Sequence, residues 1–169
     1  MRKRRARRSR WWWRIVIKDM KTRSEIIRSR RPGRFHDDPL AQPTCYGADS
    51  LETAWRETCA RYVVPLDPRG FRAYRIGVRG KLRLVDLSTE PGRRKWGIKA
   101  ADVTGDPATP VCGAIAATIR GAGYHGLVYP SVRNRPKGQC VALFLENLGD
   151  KLVVQRAAAR AWKRFVSSL

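Results

Sequence analysis

The sequence predicts an α+β fold with a basic arm before the folded domain. Three observations support this prediction. The chain has 169 residues, a length typical of one domain. Hydrophobic residues make up 43% of it, which excludes wholesale disorder. Helix-like and strand-like patterns also follow one another in mixed order, without an internal repeat.

Part of the net charge comes from the two ends of the chain. Lys and Arg total 36 against 14 Asp and Glu, a net charge of +22. Residues 1–10 hold seven basic side chains and no acidic one. Such a field attracts polyphosphates, nucleic acids or acidic partners, but it does not indicate a fold. We assign residues 1–12 to a basic arm, 13–148 to the main domain and 149–169 to a C-terminal helical extension.

The first half of the domain begins with a strand and contains the clearest helix. Trp11–Ile17 is apolar apart from one arginine, which predicts a strand, and the polar, proline-containing residues 18–44 predict mostly loop. Asp49 and Glu52 have the spacing of a capping box. Apolar residues then recur at helical spacing as far as Tyr62, which predicts a helix that ends before the next proline.

The second half alternates strands and helices. Further strands are predicted at residues 71–78, 81–87, 126–129 and 140–146. Residues 91–108 contain Gly, Pro and many charges and predict loop. Thr109 followed by Pro110 is a favourable helix start, and Gly121 ends that helix. The tail from 152 to 165 predicts another helix.

Composition argues against several classes of protein. No apolar run approaches the 18–20 residues that a membrane span requires, and the tryptophan-rich segment after the arm is too short for a signal peptide. The four cysteines are separated by 14, 53 and 28 residues, unlike those of zinc sites or redox motifs. We therefore expect reduced, mostly buried thiols in a cytoplasmic protein that contacts no membrane and uses no metal.

Two short motifs resemble binding sites but are better explained as turns. Gly121–Gly126 matches the dinucleotide fingerprint, yet it follows a predicted helix and precedes a strand, the reverse of the required order. A glycine C-cap explains it better. His36, Asp37 and Asp38 are adjacent, so they do not point at one ion, and we expect a loop with an Asx-type turn.

A non-enzymatic nucleic-acid-binding function is the alternative that the charge leaves open. Basic side chains neutralise phosphates, and the tryptophans after the arm, Trp11–Trp13, have rings of the kind that stack on bases. The same tryptophans also suit a strand. We expect at most weak, non-specific binding of nucleic acid through the arm.

Three separated segments together resemble the RES-domain family, which is named for Arg, Glu and Ser. They are Gly33–Asp37, Tyr46–Thr58, and Gly126–Arg133 with Gly138–Phe144. A fourth segment, Leu82–Leu87, resembles the family's middle strand. Each segment alone is weak, but their order and spacing across residues 13–146 make the set specific. The resemblance implies an ADP-ribosyltransferase-like split β-sheet core with flanking helices.

The same resemblance implies an activity on NAD. Family members cleave its nicotinamide–ribose bond by hydrolysis or phosphorolysis, or transfer ADP-ribose to a protein. They act as toxins silenced by an Xre-like antitoxin. Matched residue by residue, the resemblance assigns Glu57, Arg34 and Ser131 to catalysis. It assigns Arg34, Tyr46, Arg14 and Ser131 to contacts with NAD, which is the substrate.

These residue types suit that chemistry. An arginine fork binds phosphates bidentately, and a tyrosine face attracts the cationic nicotinamide. A carboxylate stabilises the oxocarbenium character that develops when the glycosidic bond breaks. Nicotinamide leaves as a neutral molecule, so no general acid is needed. Glu52 and Glu57 both flank the apolar stripe of one helix, and only the motif register favours Glu57.

Overall fold

A computed structural model describes residues 11–105 and 110–169. The strands in these residues are β1 (Trp11–Ile17), β2 (Thr44–Ala48), β3 (Phe71–Val78), β4 (Leu84–Asp86), β5 (Gly126–Pro130), β6 (Gln139–Phe144) and β7 (Leu152–Arg156). The helices are α1 (Arg23–Ile27), α2 (Leu51–Cys59), α3 (Glu90–Lys95), α4 (Ala100–Thr104), α5 (Pro110–Gly121), α6 (Leu145–Leu148) and α7 (Ala159–Val166). The predicted basic arm at residues 1–10 lies outside the described residues, as does Thr109.

The strands form one seven-stranded sheet in the order β4-β5-β6-β2-β1-β3-β7. The β4–β5 pair is parallel and the other neighbours are antiparallel. At the centre of the sheet, β1 and β2 pair through a single position, Trp13 opposite Ala48. The sheet is therefore split into two halves that diverge on either side of this contact. The predicted α+β class is confirmed.

Helices cover both faces of the sheet. Alternation along β3 sends Phe71 and Ala73 to one buried cluster and Tyr74 and Ile76 to the other. The first cluster packs under α2, α4 and α5, and the second packs under α1 and α6. Three of the four cysteines are buried, as predicted. No helix in the described part of the chain is long and apolar enough to cross a membrane.

The helix predicted after Asp49 is present, but its ends differ from the prediction. Ser50 is the N-cap, because its hydroxyl oxygen accepts the Thr53 N–H at 3.1 Å. Asp49 instead accepts the backbone N–H of Gln139 at 3.0 Å and so ties β6 to the helix start. The helix ends at Cys59 rather than continuing to Tyr62.

Two predicted loops contain short helices. The capping box of Thr22 and Glu25 starts α1 within residues 18–44. Residues 91–108, predicted as loop, contain most of α3 and all of α4, and the Thr89 hydroxyl caps α3 by accepting the Gly92 N–H. The composition of these segments did not reveal the helices. Proline in the first turn and glycine at the end are found in short helices as well as in loops.

The prediction of a helix over residues 152–165 is wrong for the first half of that range. Leu152–Arg156 is strand β7, which pairs antiparallel with β3, and only Ala159–Val166 is helical. The β-branched pair Val153 and Val154 favours a strand once a partner edge is available. Helix α7 packs back on the domain through Trp162, whose ring centroid lies 6.1 Å from that of Trp55.

Candidate active site

A cleft opens beside the split in the sheet. It encloses about 1700 Å³, including its solvent-open part, between β1, β2, α2 and the loops before β2 and after β5. A recess of about 390 Å³ adjoins it, and the two share Arg14, Tyr46 and Glu57 in their walls. Arg34 also lines the cleft. Four of the five residues selected from the sequence therefore line one cavity.

The fifth residue, Ser131, lies behind the cleft wall and contacts it through Glu57. Ser131 is fully buried, and its hydroxyl donates to Glu57 Oε1 at 2.5 Å. The Ser131 oxygen accepts the backbone N–H groups of Arg133 and Asn134 at 3.2 and 3.1 Å. These two donors occupy its lone pairs, so its proton is directed to the carboxylate.

A side-chain bridge attaches this loop to α2. Asn134 Nδ2 donates to Thr53 Oγ1 at 2.9 Å, and Thr53 Oγ1 lies 2.8 Å from Ser50 Oγ at the helix start. Gly138 packs closely here, since an added Cβ would lie 2.9 Å from the Thr53 methyl group. The loop and the helix therefore hold Ser131 and Glu57 at a fixed separation.

The two glutamates of α2 lie in different environments. Glu52 is exposed and pairs with Arg56 at 2.9 Å across one helical turn. Glu57 is half-buried, and only Glu57 of this pair lines the cleft. Folding of the loop after β5 onto α2 makes this distinction, which helical periodicity alone does not.

Arg14 connects the two halves of the sheet at the cleft. Its Nη1 donates to the Tyr46 carbonyl oxygen at 2.8 Å and its Nε donates to the Ile26 carbonyl oxygen. Burial lowers the pKa of Arg14 from its usual value, and the nearby Arg61 cation acts in the same direction. The two hydrogen bonds to carbonyl oxygens explain how the Arg14 cation is accommodated inside an otherwise apolar strand.

Tyr46 lines the cleft with its hydroxyl held by two neighbours, and the Arg61 guanidinium lies over its ring, 5.9 Å from the centroid. The hydroxyl oxygen accepts the Phe35 N–H at 3.0 Å and lies 2.8 Å from His36 Nδ1. Burial raises the pKa of the Tyr46 phenol above its usual value, so the ring stays neutral. Gly33 is required beside it, because an added Cβ would lie 2.8 Å from the phenol oxygen.

Arg34 lies at the cleft but contacts neither Glu57 nor Ser131. Its Nη1 donates to the Gly105 carbonyl oxygen at 2.7 Å, just after α4. The neighbouring residues do not form a cation site. His36 is fully buried against Tyr46, and Asp38 Oδ1 accepts the Leu40 N–H at 2.8 Å in the predicted Asx-type turn.

Most of the basic residues of the cleft were not predicted from the sequence. Seven arginines line it: Arg14, Arg28, Arg30, Arg31, Arg34, Arg61 and Arg133. The acidic side chains in its wall are Glu25 and Glu57. Arg61 follows Glu57 by four residues, and in the helix predicted as far as Tyr62 this spacing would have placed both side chains on one face, although the observed helix ends at Cys59. The others could not be selected among so many basic residues. In the described ranges, no cluster of three or more His, Cys, Asp or Glu could hold a metal ion.

Comparison with known proteins identifies the family. The sequence model of the RES domain matches residues 5–163. The chain belongs to the RES-domain family. A chain of the crystal structure "M.tuberculosis MbcT-MbcA toxin-antitoxin complex" has a similar fold, with a TM-score of 0.66 and 19% sequence identity. The likeness covers 93% of this chain and 88% of that one, and at this identity it concerns the fold alone.

No curated protein matches the chain. The RES-domain match is nevertheless longer than the region in which the motifs occur. It extends past residue 146 to residue 163 and so includes β7 and much of α7. The C-terminal residues predicted as a helical extension therefore contribute a strand to the sheet of the RES domain.

Proposed function

We propose that this RES domain cleaves the nicotinamide–ribose bond of NAD. The observation that carries the proposal is the Glu57 carboxylate, held by the Ser131 hydroxyl at 2.5 Å in the wall of an arginine-lined cleft. A single oriented carboxylate among cations suits a substrate with a dianionic pyrophosphate and a cationic leaving group. Water, phosphate or a protein side chain then accepts the ADP-ribose.

The lining of the cleft supports binding of each part of NAD. Arginine forks bind the pyrophosphate, and Arg34 and Arg61 have guanidinium groups at the cleft for this purpose. Tyr46 lies in the wall shared by the cleft and the recess, and we assign its aromatic ring to contact with nicotinamide. Arg14 holds the Tyr46 backbone in place through its carbonyl oxygen.

The reaction follows from the charges. As the bond between ribose C1′ and the nicotinamide nitrogen breaks, its electron pair moves to nicotinamide, which leaves neutral. Positive charge develops on the ribose, and Glu57 stabilises it through the carboxylate. Ser131 holds Oε1, so Oε2 remains for the substrate; within the described residues it accepts no hydrogen bond. The acceptor then donates a lone pair to C1′, and an acceptor with an O–H or N–H group releases that proton to solvent.

Purified protein should consume NAD and release free nicotinamide in the presence of EDTA. Chromatography of the reaction products measures both quantities. No step of the proposed mechanism uses a metal ion, so chelation should leave the rate unchanged. Activity that is lost with EDTA and restored with zinc would show that the mechanism is wrong.

We also propose that the protein is a cytoplasmic toxin held inactive by an Xre-like antitoxin. The fold likeness to a chain of a toxin–antitoxin complex supports this, together with membership of the RES-domain family. Induced expression should stop bacterial growth and lower cellular NAD, whereas the Glu57→Gln variant at equal abundance should do neither. Growth arrest by both variants alike would contradict an NAD-dependent toxicity.

A further inference from the structure

One wall of the cleft is an arginine segment, residues 28–34. It carries four of the seven arginines that line the cleft: Arg28, Arg30, Arg31 and Arg34. Ser29 anchors this segment, because it is buried, donates its backbone N–H to the Thr44 carbonyl oxygen at 3.0 Å and donates its hydroxyl to the Arg31 carbonyl oxygen at 3.0 Å. The arginines are therefore carried by a fixed backbone next to the first residue of β2.

Two arginines of this segment already have partners. Arg30 pairs with Glu25 at 3.1 Å, and Arg34 donates to the Gly105 carbonyl oxygen at 2.7 Å. Arg28 and Arg31 are exposed, and their guanidinium groups form no ion pair or hydrogen bond with residues 11–105 or 110–169. Two unpaired cations thus lie in the wall of the same cleft as Glu57.

The positive charge of this cleft exceeds the negative charge of NAD. Seven arginines face two glutamates, whereas the two phosphates of NAD are partly offset by its nicotinamide cation. A phosphate monoester adds about −1.5 to −2 charge near neutral pH. Arginine is the side chain that accommodates the ribose 2′-phosphate in sites that accept NADP, and its planar fork binds such a group bidentately.

We propose that the preferred substrate of this cleft is a nicotinamide dinucleotide with an additional ribose phosphate, NADP, and that Arg28 and Arg31 bind that phosphate. This inference rests on the proposed function. The chemical step is unchanged: nicotinamide leaves neutral with the bonding electron pair, and the 2′-phosphate does not react. The additional phosphate contributes binding, because it makes the negative charge of the dinucleotide match the positive charge of the cleft more closely in magnitude.

The experiment compares nicotinamide release from NAD and NADP by the full chain at equal ionic strength. We expect kcat/KM to be about ten- to a hundredfold higher for NADP, the range of one or two charge-assisted hydrogen bonds. Higher salt should reduce this ratio, because the added contact is electrostatic and near solvent. In the double variant Arg28→Gln/Arg31→Gln, the ratio should fall close to one.

A matched double variant controls for the overall field of the protein. Arg79→Gln/Arg156→Gln removes the same charge at a separate groove beside the β3–β7 pair, lined by Tyr74 and Leu152. It should retain the NADP preference. Calorimetric titration of NAD and NADP into the Glu57→Gln protein adds a binding readout that does not depend on turnover, and NADP should bind about ten- to a hundredfold more tightly.

Each contrary result has a distinct meaning. Turnover of NAD at least as efficient as that of NADP would overturn the inference and leave the proposed function intact. A preference that survives Arg28→Gln/Arg31→Gln, or that the control variant also removes, would overturn the assignment to these two residues. Release of nicotinamide from neither dinucleotide would overturn the proposed function and the inference with it.

Discussion

The hydroxyl group of Ser131 can donate one hydrogen bond, and its neighbours determine which acceptor receives it. Two backbone N–H groups donate to its oxygen, and the hydroxyl donates to Glu57 at 2.5 Å. In this position Ser131 fixes one carboxylate oxygen without approaching the cleft itself. A positioning role of this kind affects the rate of the chemical step more than the affinity for the substrate.

The variant Ser131→Ala tests that role. Loss of a hydrogen bond to a charged group costs about 1.5–3 kcal/mol, which corresponds to about a ten- to hundredfold decrease in kcat. KM for NAD should change little, because the arginines proposed to bind its phosphates are not substituted. Initial-rate kinetics measure both, with Ser168→Ala at the exposed end of the chain as the control. An unchanged kcat in folded Ser131→Ala would exclude the positioning role.

The sequence predicts some residues of the site and not others. Arg34, Tyr46 and Glu57 could be found because each falls within a segment that resembles the family, and Arg14 because residues 13–15 are similar to the family's first strand with its arginine. The structure brings all four to one cleft. The arginine segment offered no such register, since basic residues occur throughout the chain. Which of them face the cleft depends on the hydrogen bonds of Ser29, a tertiary feature that no local pattern encodes.

Among the helices and strands, those with a strong sequence pattern of their own were predicted accurately, whereas those that depend on distant partners were not. The strand β3 and the helix ending at Gly121 were predicted at or close to their observed limits, because their alternation and periodicity are strong. Strand β7 was predicted as helix, because it pairs with the edge of β3, which is distant in the sequence. The split of the sheet at Trp13 and Ala48 was implied by the family resemblance and not by any strand pattern.

Two histidines support neighbouring elements in their neutral form. His36 is buried beside Tyr46 on β2, and His125 Nδ1 accepts the Arg83 N–H at 2.9 Å just before β4. Burial lowers the pKa of both histidines below the usual value of 6.5. The unfolded chain therefore binds protons at a higher pH than the folded chain does.

Stability should consequently fall on acidification. The contribution of the neutral histidines is complete above the unfolded pKa of 6.5 and is lost as the pH falls through that value toward the lower folded pKa. Melting temperatures between about pH 8 and pH 5 measure this. The variant His36→Gln/His125→Gln should melt at lower temperature but show a flatter dependence on pH. The same slope in both proteins would contradict the assignment.

At the scale of the whole molecule, the charge of +22 raises the question of nucleic acid. Trp12 is buried in the core, and Trp11 and Trp13 flank the Arg75 guanidinium, with ring centroids at 5.3 and 5.6 Å. These rings are engaged within the sheet and do not form a free platform for stacking bases. Any binding of nucleic acid is therefore expected from the basic arm at residues 1–10, which lies outside the described residues.

Deletion of residues 1–10 tests the function of the arm. Seven phosphate contacts would give a slope of about −6 for the logarithm of the duplex-DNA affinity against the logarithm of salt concentration, as an upper limit. The shortened protein should show a flatter slope and unchanged NAD cleavage. Fluorescence anisotropy with a labelled duplex measures the first and nicotinamide release the second. Loss of NAD cleavage would instead place the arm in the fold or the active site.

Nicotinamide release by the Glu57→Gln variant, measured beside that by Glu52→Gln, is the decisive test of the proposed NAD cleavage. Glutamine keeps the size of glutamate but removes the negative charge that meets the developing oxocarbenium ion. We expect the rate of Glu57→Gln to fall about a hundred- to a thousandfold, equivalent to about 3–4 kcal/mol of barrier. Glu52→Gln should keep a near-normal rate and lose only the exposed pair with Arg56, about 0.3–0.5 kcal/mol of stability.

The same helix carries both substitutions, so thermal melting shows whether each variant is folded before the rates are compared. A large rate loss confined to folded Glu57→Gln is the result that the proposed mechanism predicts. Turnover of NAD by folded Glu57→Gln at the wild-type rate, or an equal loss in both variants, would contradict the assignment of Glu57 as the catalytic carboxylate.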